Sequence, residues 1–270
     1  MTNKPPVVEN DEYWHDYLTK GSPREMAMRR FLARLPTGPR CTMCAAPFAG
    51  IGAPVMRAIG KRQSDKNPHI CQQCFTYLAQ HHGGAEIELT ILFADIRGST
   101  TLAERMPSTE FRALLDRFYT VATQAVFDHD GQVDKFVGDE VVAFFFPMMA
   151  GERHAERGVE AARAILLATG NADPGGPWLP VGAGVHTGVA WMGAVGEGSS
   201  TQLTAVGDAV NTTARLASVA EAGEILVTTD AAKAAGLDDN LERRSLELKG
   251  KAAATDVVVL KVGAASATAA

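Results

Sequence analysis

Two aspartates are the residues best placed to do chemistry. Asp95 closes an apolar, β-prone run from Glu88 to Ile96 (ELTILFADI), and Asp139 sits in a Gly138-Asp139 step between two further runs, Gln132 to Val137 and Glu140 to Phe146. That step reads as the tip of a hairpin. A hairpin lying beside the first strand would carry both carboxylates to one end of a sheet. Such a pair offers oxygen donors only, which suits Mg²⁺ or Mn²⁺, and two such ions can clamp an in-line displacement at phosphorus. After Ile96 comes Arg97-Gly98-Ser99-Thr100, a small-residue turn opening a helix. The N–H groups of Gly98, Ser99 and Thr100 are candidates there to cradle phosphate. Taken singly, Asp95 reads equally well as a helix cap and Asp139 as a turn residue; the phosphoryl reading rests on the two together.

The cysteines form a second constellation. All four fall in two Cys-x-x-Cys pairs, Cys41/Cys44 and Cys71/Cys74. Each pair can grip one metal from a short knuckle, and four thiolates around Zn²⁺ make a closed tetrahedral site that is structural and not catalytic. The gap between the pairs is longer than the usual ~15–20 residues, but its interior (PFAGIGAP, then KRQSDKNP) is rich in turn formers. An iron–sulfur cluster and a redox-switchable dithiol pair are the alternatives. His69, His81 and His82 lie nearby, yet four cysteines complete a site without them.

The elements that must position these groups can be read along the chain. Residues 1–40 are polar and irregular before a helix from Ser22 to Leu35, ended by Pro36, Gly38 and Pro39. The cysteine-rich stretch, 41–82, leads to a Gly83-Gly84 pair that reads as a linker. From Glu86 strands and helices alternate. Ser108 to His129 has Phe111, Leu114, Leu115, Phe118, Tyr119 and Ala122 at helical spacing. Glu152 to Ala168 is a second helix, and Asp173 to Pro180 a loop. Val181 to Val195 reads as two strands around His186-Thr187-Gly188. A helix from Asp208 to Ala220 follows, then strands at Glu224–Thr228, Ser245–Leu248 and Asp256–Val262. The order β-α-β-β-α-β predicts a ferredoxin-like α+β domain over 86–262, preceded by a small Cys-rich metal-binding module. The small-residue tail, 263–270, is expected to be disordered.

Bulk properties narrow the partners. The chain has 270 residues, a formal net charge of -5 and no long Lys/Arg stripe, which disfavours nucleic acid. No apolar run approaches the ~20 residues that span a bilayer, so no membrane insertion is expected. The start, MTNKPPVVENDEYWHDY, lacks an apolar segment behind a basic one. The expected compartment is the cytoplasm.

Three segments, LFADIRGST (92–100), VDKFVGDEVVAFF (133–145) and TAVGDAVNTTARL (204–216), together resemble the class III adenylate/guanylate cyclase family. The resemblance runs from about Glu86 to Val262. It implies that Asp95 and Asp139, with the Ile96 carbonyl, hold two divalent metals. Lys135 falls where adenylate-type members carry the lysine that donates to adenine N1, and Thr204, seven residues before Asn211, where the second base-reading residue falls. Both point to ATP. Asn211 and Arg215, four apart on a helix and so on one face, match the residues that orient the ribose and stabilise charge on the α-phosphate. Lys249, in LELKGK, matches the lysine that contacts the terminal phosphates, although such a turn is also ordinary surface sequence. The implied product is cyclic AMP, formed by attack of the ribose 3′-hydroxyl on the α-phosphorus. The implied assembly is a head-to-tail homodimer with the two halves of each site on different subunits. A guanylate or relaxed-specificity cyclase is the nearest alternative, and an inactive cyclase-like nucleotide-binding module the alternative from another class. For the cysteine module, the choice lies between a sensor of redox state or metal supply and a stabilising or dimerising cap.

Overall fold

The computed structural model describes residues 7–8, 10–21, 23–35, 38–197, 201–251 and 253–263. Ser22 and Pro36, which bound the expected first helix, and residues 264–270 of the expected disordered tail lie outside them. In chain order the elements are β1 (Val7–Val8), α1 (Asp11–Thr19), α2 (Pro23–Ala33), α3 (Ala53–Ala58), α4 (Gln72–Gln80), β2 (His81–Ile96), α5 (Ser99–Arg105), α6 (Ser108–Asp128), β3 (Gln132–Val137), β4 (Glu140–Phe145), α7 (Pro147–Ala150), α8 (His154–Ala168), β5 (Val181–Val195), β6 (Gln202–Val206), α9 (Asp208–Val219), β7 (Glu224–Thr228), α10 (Thr229–Ala234), β8 (Arg243–Leu246) and β9 (Thr255–Lys261).

These elements form two compact units. The first comprises Met1–Glu88, Phe146–Gly151 and Val189–Gly207; the second, Leu89–Phe145, Glu152–Gly188 and Asp208–Ala270. The second unit is built on strands in the order β3-β4-β2-β5-β7-β9-β8. Its first four members stand in the order of a ferredoxin-like split βαβ fold, so the predicted α+β class holds. The pairs β2/β4 and β3/β4 are antiparallel, and β5/β7 is parallel. Leu89 and Ile91 to Ala94 of β2 and Val141 to Phe145 of β4 are buried without alternation, as expected where both faces of a sheet are covered. On α6, Phe118, Ala122, Ala125 and Val126 bury one stripe, and α6 packs against α8. Gly158 of α8 permits close approach to β2, since a Cβ there would lie 2.6 Å from Thr90 Cγ2. Beside that contact, the Thr90 hydroxyl bonds His154 Nδ1 (2.8 Å) and Thr187 Oγ1 (2.7 Å), so these three buried side chains satisfy one another.

The first unit holds both cysteine pairs. Asn10 caps α1 by accepting from the Tyr13 N–H (2.9 Å), and Trp14 and Leu18, one turn apart, are buried. Cys71 caps α4. In the same unit the second half of β5 pairs antiparallel with β6.

Two expectations are corrected. Val181–Val195 is one strand of 15 residues, not two. Its glycines mark close approach instead of a turn: a Cβ at Gly184 would lie 2.6 Å from the Ala217 N–H nitrogen of α9. The strand that returns beside it is β6, which the periodicity did not reveal. The Gly83-Gly84 pair likewise lies inside β2, where a Cβ at Gly84 would lie 2.5 Å from the Met192 carbonyl oxygen. It is a packing requirement and not a linker.

Candidate active site and cysteine cluster

The hairpin expectation is met. Asp95 stands opposite Glu140 in the β2/β4 ladder, and the Ile96 N–H donates to the Asp139 carbonyl at 3.3 Å. Asp139 therefore reaches the same sheet end as Asp95 and the buried Ile96. The hairpin tip is pinned from α6: the Tyr119 hydroxyl donates to the Gly138 carbonyl, and its ring stacks on Phe136 with centroids 4.3 Å apart. Gly98, at φ 69° in the left-handed region, precedes α5, so Asp95 does not cap that helix. Ser99 and Thr100 form the first turn of α5.

Glu140 makes a third carboxyl at this end, which the motif reading did not single out. Burial, then Asp95 and Asp139, push the Glu140 carboxyl up to about 7. Burial and Asp139 push Asp95 up to about 6, against the opposing pull of Arg97. Acids that raise one another in this way are relieved by a cation, and an all-oxygen set fits Mg²⁺ or Mn²⁺.

Arg97 was passed over as part of a turn, yet it organises the site. Its Nη2 pairs with Asp95 Oδ2, while Nη1 donates to the carbonyls of Ser218 (3.0 Å) and Ala220 (3.2 Å) at the end of α9. Cations are favoured there by the helix dipole. The same helix carries Asn211, exposed, and Arg215, half-buried, one turn apart.

Beyond α9 the LELKGK turn folds back against it. Leu248 is buried with Leu216, Ala220, Leu226, Val257 and Val259. Gly250, at φ 76°, lies so close that a Cβ there would be 3.3 Å from Arg215 Nη2. Lys251 forms an ion pair with Asp208, the first residue of α9. Lys249 is exposed; the clasp on the helix is made by the second lysine of the pair. Nearby, His186 bonds Thr228 Oγ1 at 2.9 Å, and burial followed by Lys251 lowers its pKa.

Lys135 is re-aimed by an irregularity. The β3/β4 register shifts between Val133 and Lys135, which sets Lys135 opposite Val142. Its Nζ lies 3.1 Å from the Asp134 carboxylate. Thr204 belongs to the first unit, on β6 opposite Gly193, and is buried.

The four cysteines converge in the first unit. One ligand atom from each of Cys41, Cys44, Cys71 and Cys74 lies within 4.8 Å of the others. Cys44 Sγ is 3.7 Å from Cys71 Sγ, close to the ~3.8 Å edge of a tetrahedron with ~2.3 Å Zn–S bonds and far from the ~2.05 Å of a disulfide. Backbone N–H groups of Cys71 and Cys44 donate to Cys41 Sγ at 3.2 and 3.5 Å. Hydrogen bonds from the neighbouring thiols, Cys41 first, hold Cys44 well below the thiol range, while burial pushes Cys41 well above it. Burial works against the charge of Lys61, but the sulfurs of Cys44, Cys74 and Cys71 raise it overall. Four thiolates this close cannot all carry charge without a cation among them, so the donor set fits a thiophilic divalent metal.

Comparison with known proteins supplies the family. Residues 84–261 match the family model described as the adenylate and guanylate cyclase catalytic domain. Adenylate cyclase 1 of Rhizobium meliloti (strain 1021) is 34% identical over 188 residues, covering 66% of this chain and 28% of that protein. An adenylate cyclase of Anabaena cylindrica is 29% identical over 190 residues, covering 64% of this chain and 36% of its own length. The chain thus spans about a third or less of these relatives. Among solved structures, the guanylyl cyclase Cya2 superposes with TM-score 0.59 at 28% identity, covering 67% of this chain and 95% of that one. The adenylyl cyclase CyaB from P. aeruginosa gives TM-score 0.58 at 27% identity, covering 66% and 96%. No helix among the described residues is long and apolar enough to cross a membrane. With well over half its length matched by the family model, the chain belongs to the adenylate and guanylate cyclase catalytic-domain family.

Proposed function

We propose that the chain is an adenylate cyclase, converting ATP to 3′,5′-cyclic AMP and pyrophosphate. The observation that carries this reading is the convergence of Asp95 and Asp139 at one sheet end, in a chain whose relatives include proteins named adenylate cyclase. Asp95, Asp139 and the Ile96 carbonyl would hold two Mg²⁺ or Mn²⁺ ions. Such ions, when bound, offset the charge of the triphosphate and acidify the ribose 3′-hydroxyl. Gly98, Ser99 and Thr100 support the phosphates through their N–H groups. Lys135 donates to adenine N1 and Thr204 reads the same base edge. Asn211 orients the ribose, Arg215 stabilises the charge that develops on the α-phosphate, and Lys249 contacts the terminal phosphates. The 3′-oxygen forms its bond to the α-phosphorus as the bond to the β-phosphate oxygen breaks. Pyrophosphate leaves with that oxygen, and the hydroxyl proton goes to solvent.

The halves of the site belong to different subunits of a head-to-tail homodimer, two sites per dimer. The catalytic domain covers about 86–262 and acts in the cytoplasm. The four cysteines would hold one structural Zn²⁺; the tightness of the sulfur cage, all four within 4.8 Å of one another, supports a single ion over the larger iron–sulfur cluster.

The test is cyclic-nucleotide production from ATP and from GTP with Mn²⁺. Wild type should favour ATP, Asp139→Ala should lose at least a hundredfold in kcat, and Lys135→Glu should lower kcat/KM for ATP at least tenfold while narrowing the ATP:GTP ratio. Equal product from wild type and Asp139→Ala would sink the two-carboxylate reading; an ATP preference unmoved by Lys135→Glu would sink the base assignment.

A further inference from the structure

The cysteine cluster and Thr204 lie in one compact unit, and the contacts between them are continuous. Cys71 is both a cluster member and the cap of α4: its Sγ accepts from the Cys74 N–H at 3.5 Å. The helix therefore starts at the metal site. α4 packs against β6, the strand that carries Thr204.

A second tie runs ahead of Cys71. Asn67 Nδ2 reaches the Thr201 carbonyl at 3.5 Å, just before β6, and Asn67 Oδ1 accepts from the His69 N–H at 3.1 Å. The His69 carbonyl in turn accepts from the Thr42 N–H at 2.9 Å, inside the first Cys-x-x-Cys turn. Both cysteine knuckles thus feed into the residue that holds the start of β6.

A third tie follows α4. Its chain enters β2 directly, and Gly83-Gly84 presses on Gly193, where a Cβ would lie 2.5 Å from the Gly84 Cα. Gly193 is the ladder partner of Thr204. The strand bearing Thr204 is held by α4, by Asn67 and, through Gly193, by the first residues of β2. All three lie on the stretch of chain that enters or leaves the second cysteine pair.

We propose that the metal-loaded cysteine cluster is a positioning device for Thr204, so that occupancy by a thiophilic divalent metal sets how well the enzyme discriminates adenine from guanine. This rests on the reading of Thr204 as a base-contacting residue. A buried threonine reads a base edge through one hydroxyl, and a hydrogen bond weakens steeply once its geometry drifts. Slack in β6 would therefore reduce selectivity before it abolished turnover. The Cys-rich segment would act as the rigid support of a specificity contact.

The experiment uses the full chain, zinc-loaded or stripped by a chelator and desalted before Mn²⁺ is restored, together with Cys71→Ser and Asn67→Ala. Amide hydrogen exchange in residues 202–206 should accelerate at least tenfold on zinc loss, while Glu140–Phe145 of β4 stays unchanged. The ATP:GTP ratio of kcat/KM should fall at least threefold. Asn67→Ala should keep its zinc by metal analysis and still show part of both shifts, which a generally unfolded protein would not. Unchanged exchange in 202–206 after zinc loss overturns the proposal whatever the activity. Faster exchange with an unchanged ATP:GTP ratio overturns the specificity role. A wild type that makes no cyclic product from either nucleotide defeats the cyclase reading instead, and the exchange data still decide whether the cluster braces β6.

Discussion

Arg97 closes its guanidinium on the carboxylate of Asp95, two residues earlier in the chain, and spends its other edge on the last carbonyls of α9. One side chain thus fixes a candidate metal carboxylate and the helix that bears Asn211 and Arg215. Both members of the pair are about one-fifth exposed, so the interaction is not a screened surface contact.

Replacing Arg97 with Gln removes the cation that pairs with Asp95 and leaves a carboxylate among acids. The expected cost is about 2 kcal/mol, which for a unit of this size lowers the metal-free Tm by roughly 4–8 °C. Saturating Mn²⁺ should narrow the difference, because a metal at Asp95 takes over the neutralisation. Thermal melts of both proteins with and without Mn²⁺ check this; an equal gap in both conditions contradicts it.

The acid cluster fixes the sign of a pH effect. Asp95 and Glu140 are raised to about 6 and about 7, above the ~3.9 and ~4.3 of unfolded carboxyls. The metal-free fold favours their protonated forms, so the associated stability is present below pH ~4 and is lost as the pH rises to ~7. Metal-free Tm should fall between pH 5.5 and 8, and Glu140→Gln should flatten that slope. Mn²⁺ affinity should move the other way, rising at least tenfold from pH 6 to 8 as protons cease to compete. Calorimetric titration at the two pH values measures it.

The clasp of Lys251 on Asp208 should matter through Arg215. Asp208 is largely exposed, and such an ion pair adds little to stability by itself. Lys251→Met should leave Tm within about 2 °C yet lower kcat roughly tenfold with KM nearly unchanged, since the turn that packs Gly250 against the Arg215 guanidinium is released. Lys251→Arg should recover most of the loss. A change in KM alone would indicate a different role.

If the sites are shared head to tail, two inactive proteins should rescue each other. Asp139→Ala and Arg215→Ala, mixed as equal subunits, form heterodimers in which one site receives both intact halves. Random pairing predicts roughly a quarter of wild-type activity. No recovery after subunit exchange, shown by mass, would argue that each chain builds its own site.

Much of the catalytic unit was legible because its signals are local. The apolar run ending at Asp95, the Gly138-Asp139 turn and the helical spacing of 108–129 each follow from neighbours in the chain, and their observed bounds agree within a residue or two except at the N-terminal extension of β2. Convergence of four cysteines was likewise legible from paired spacing. What escaped depends on partners distant in sequence. Arg97 matters through the end of α9, some 120 residues on. The Gly83-Gly84 pair reads as a linker, and Gly184 and Gly193 carry no signal of their own, yet Gly84, Gly184 and Gly193 are required by backbone pressing on them. β6 has no periodic signature and exists because β5 offers it an edge. α1 carried a usable signal in Asn10 followed by Trp14 and Leu18, which the polar surroundings masked.

The way the cysteine-bearing unit is assembled limits how the protein can be dissected. It draws its chain from three separated stretches, two of them, Phe146–Gly151 and Val189–Gly207, embedded in the segment that matches the cyclase family. A truncation at residue 88 would therefore not lift off an appendage. It would strip the α4 support from β6 and uncover Trp191, Met192 and the Met148–Met149 pair to water. Expression of residues 89–270 alone should give an aggregation-prone product, and its inactivity could not be blamed on a missing regulator. Point substitutions and metal exchange, which keep the covalent chain whole, are the informative cuts.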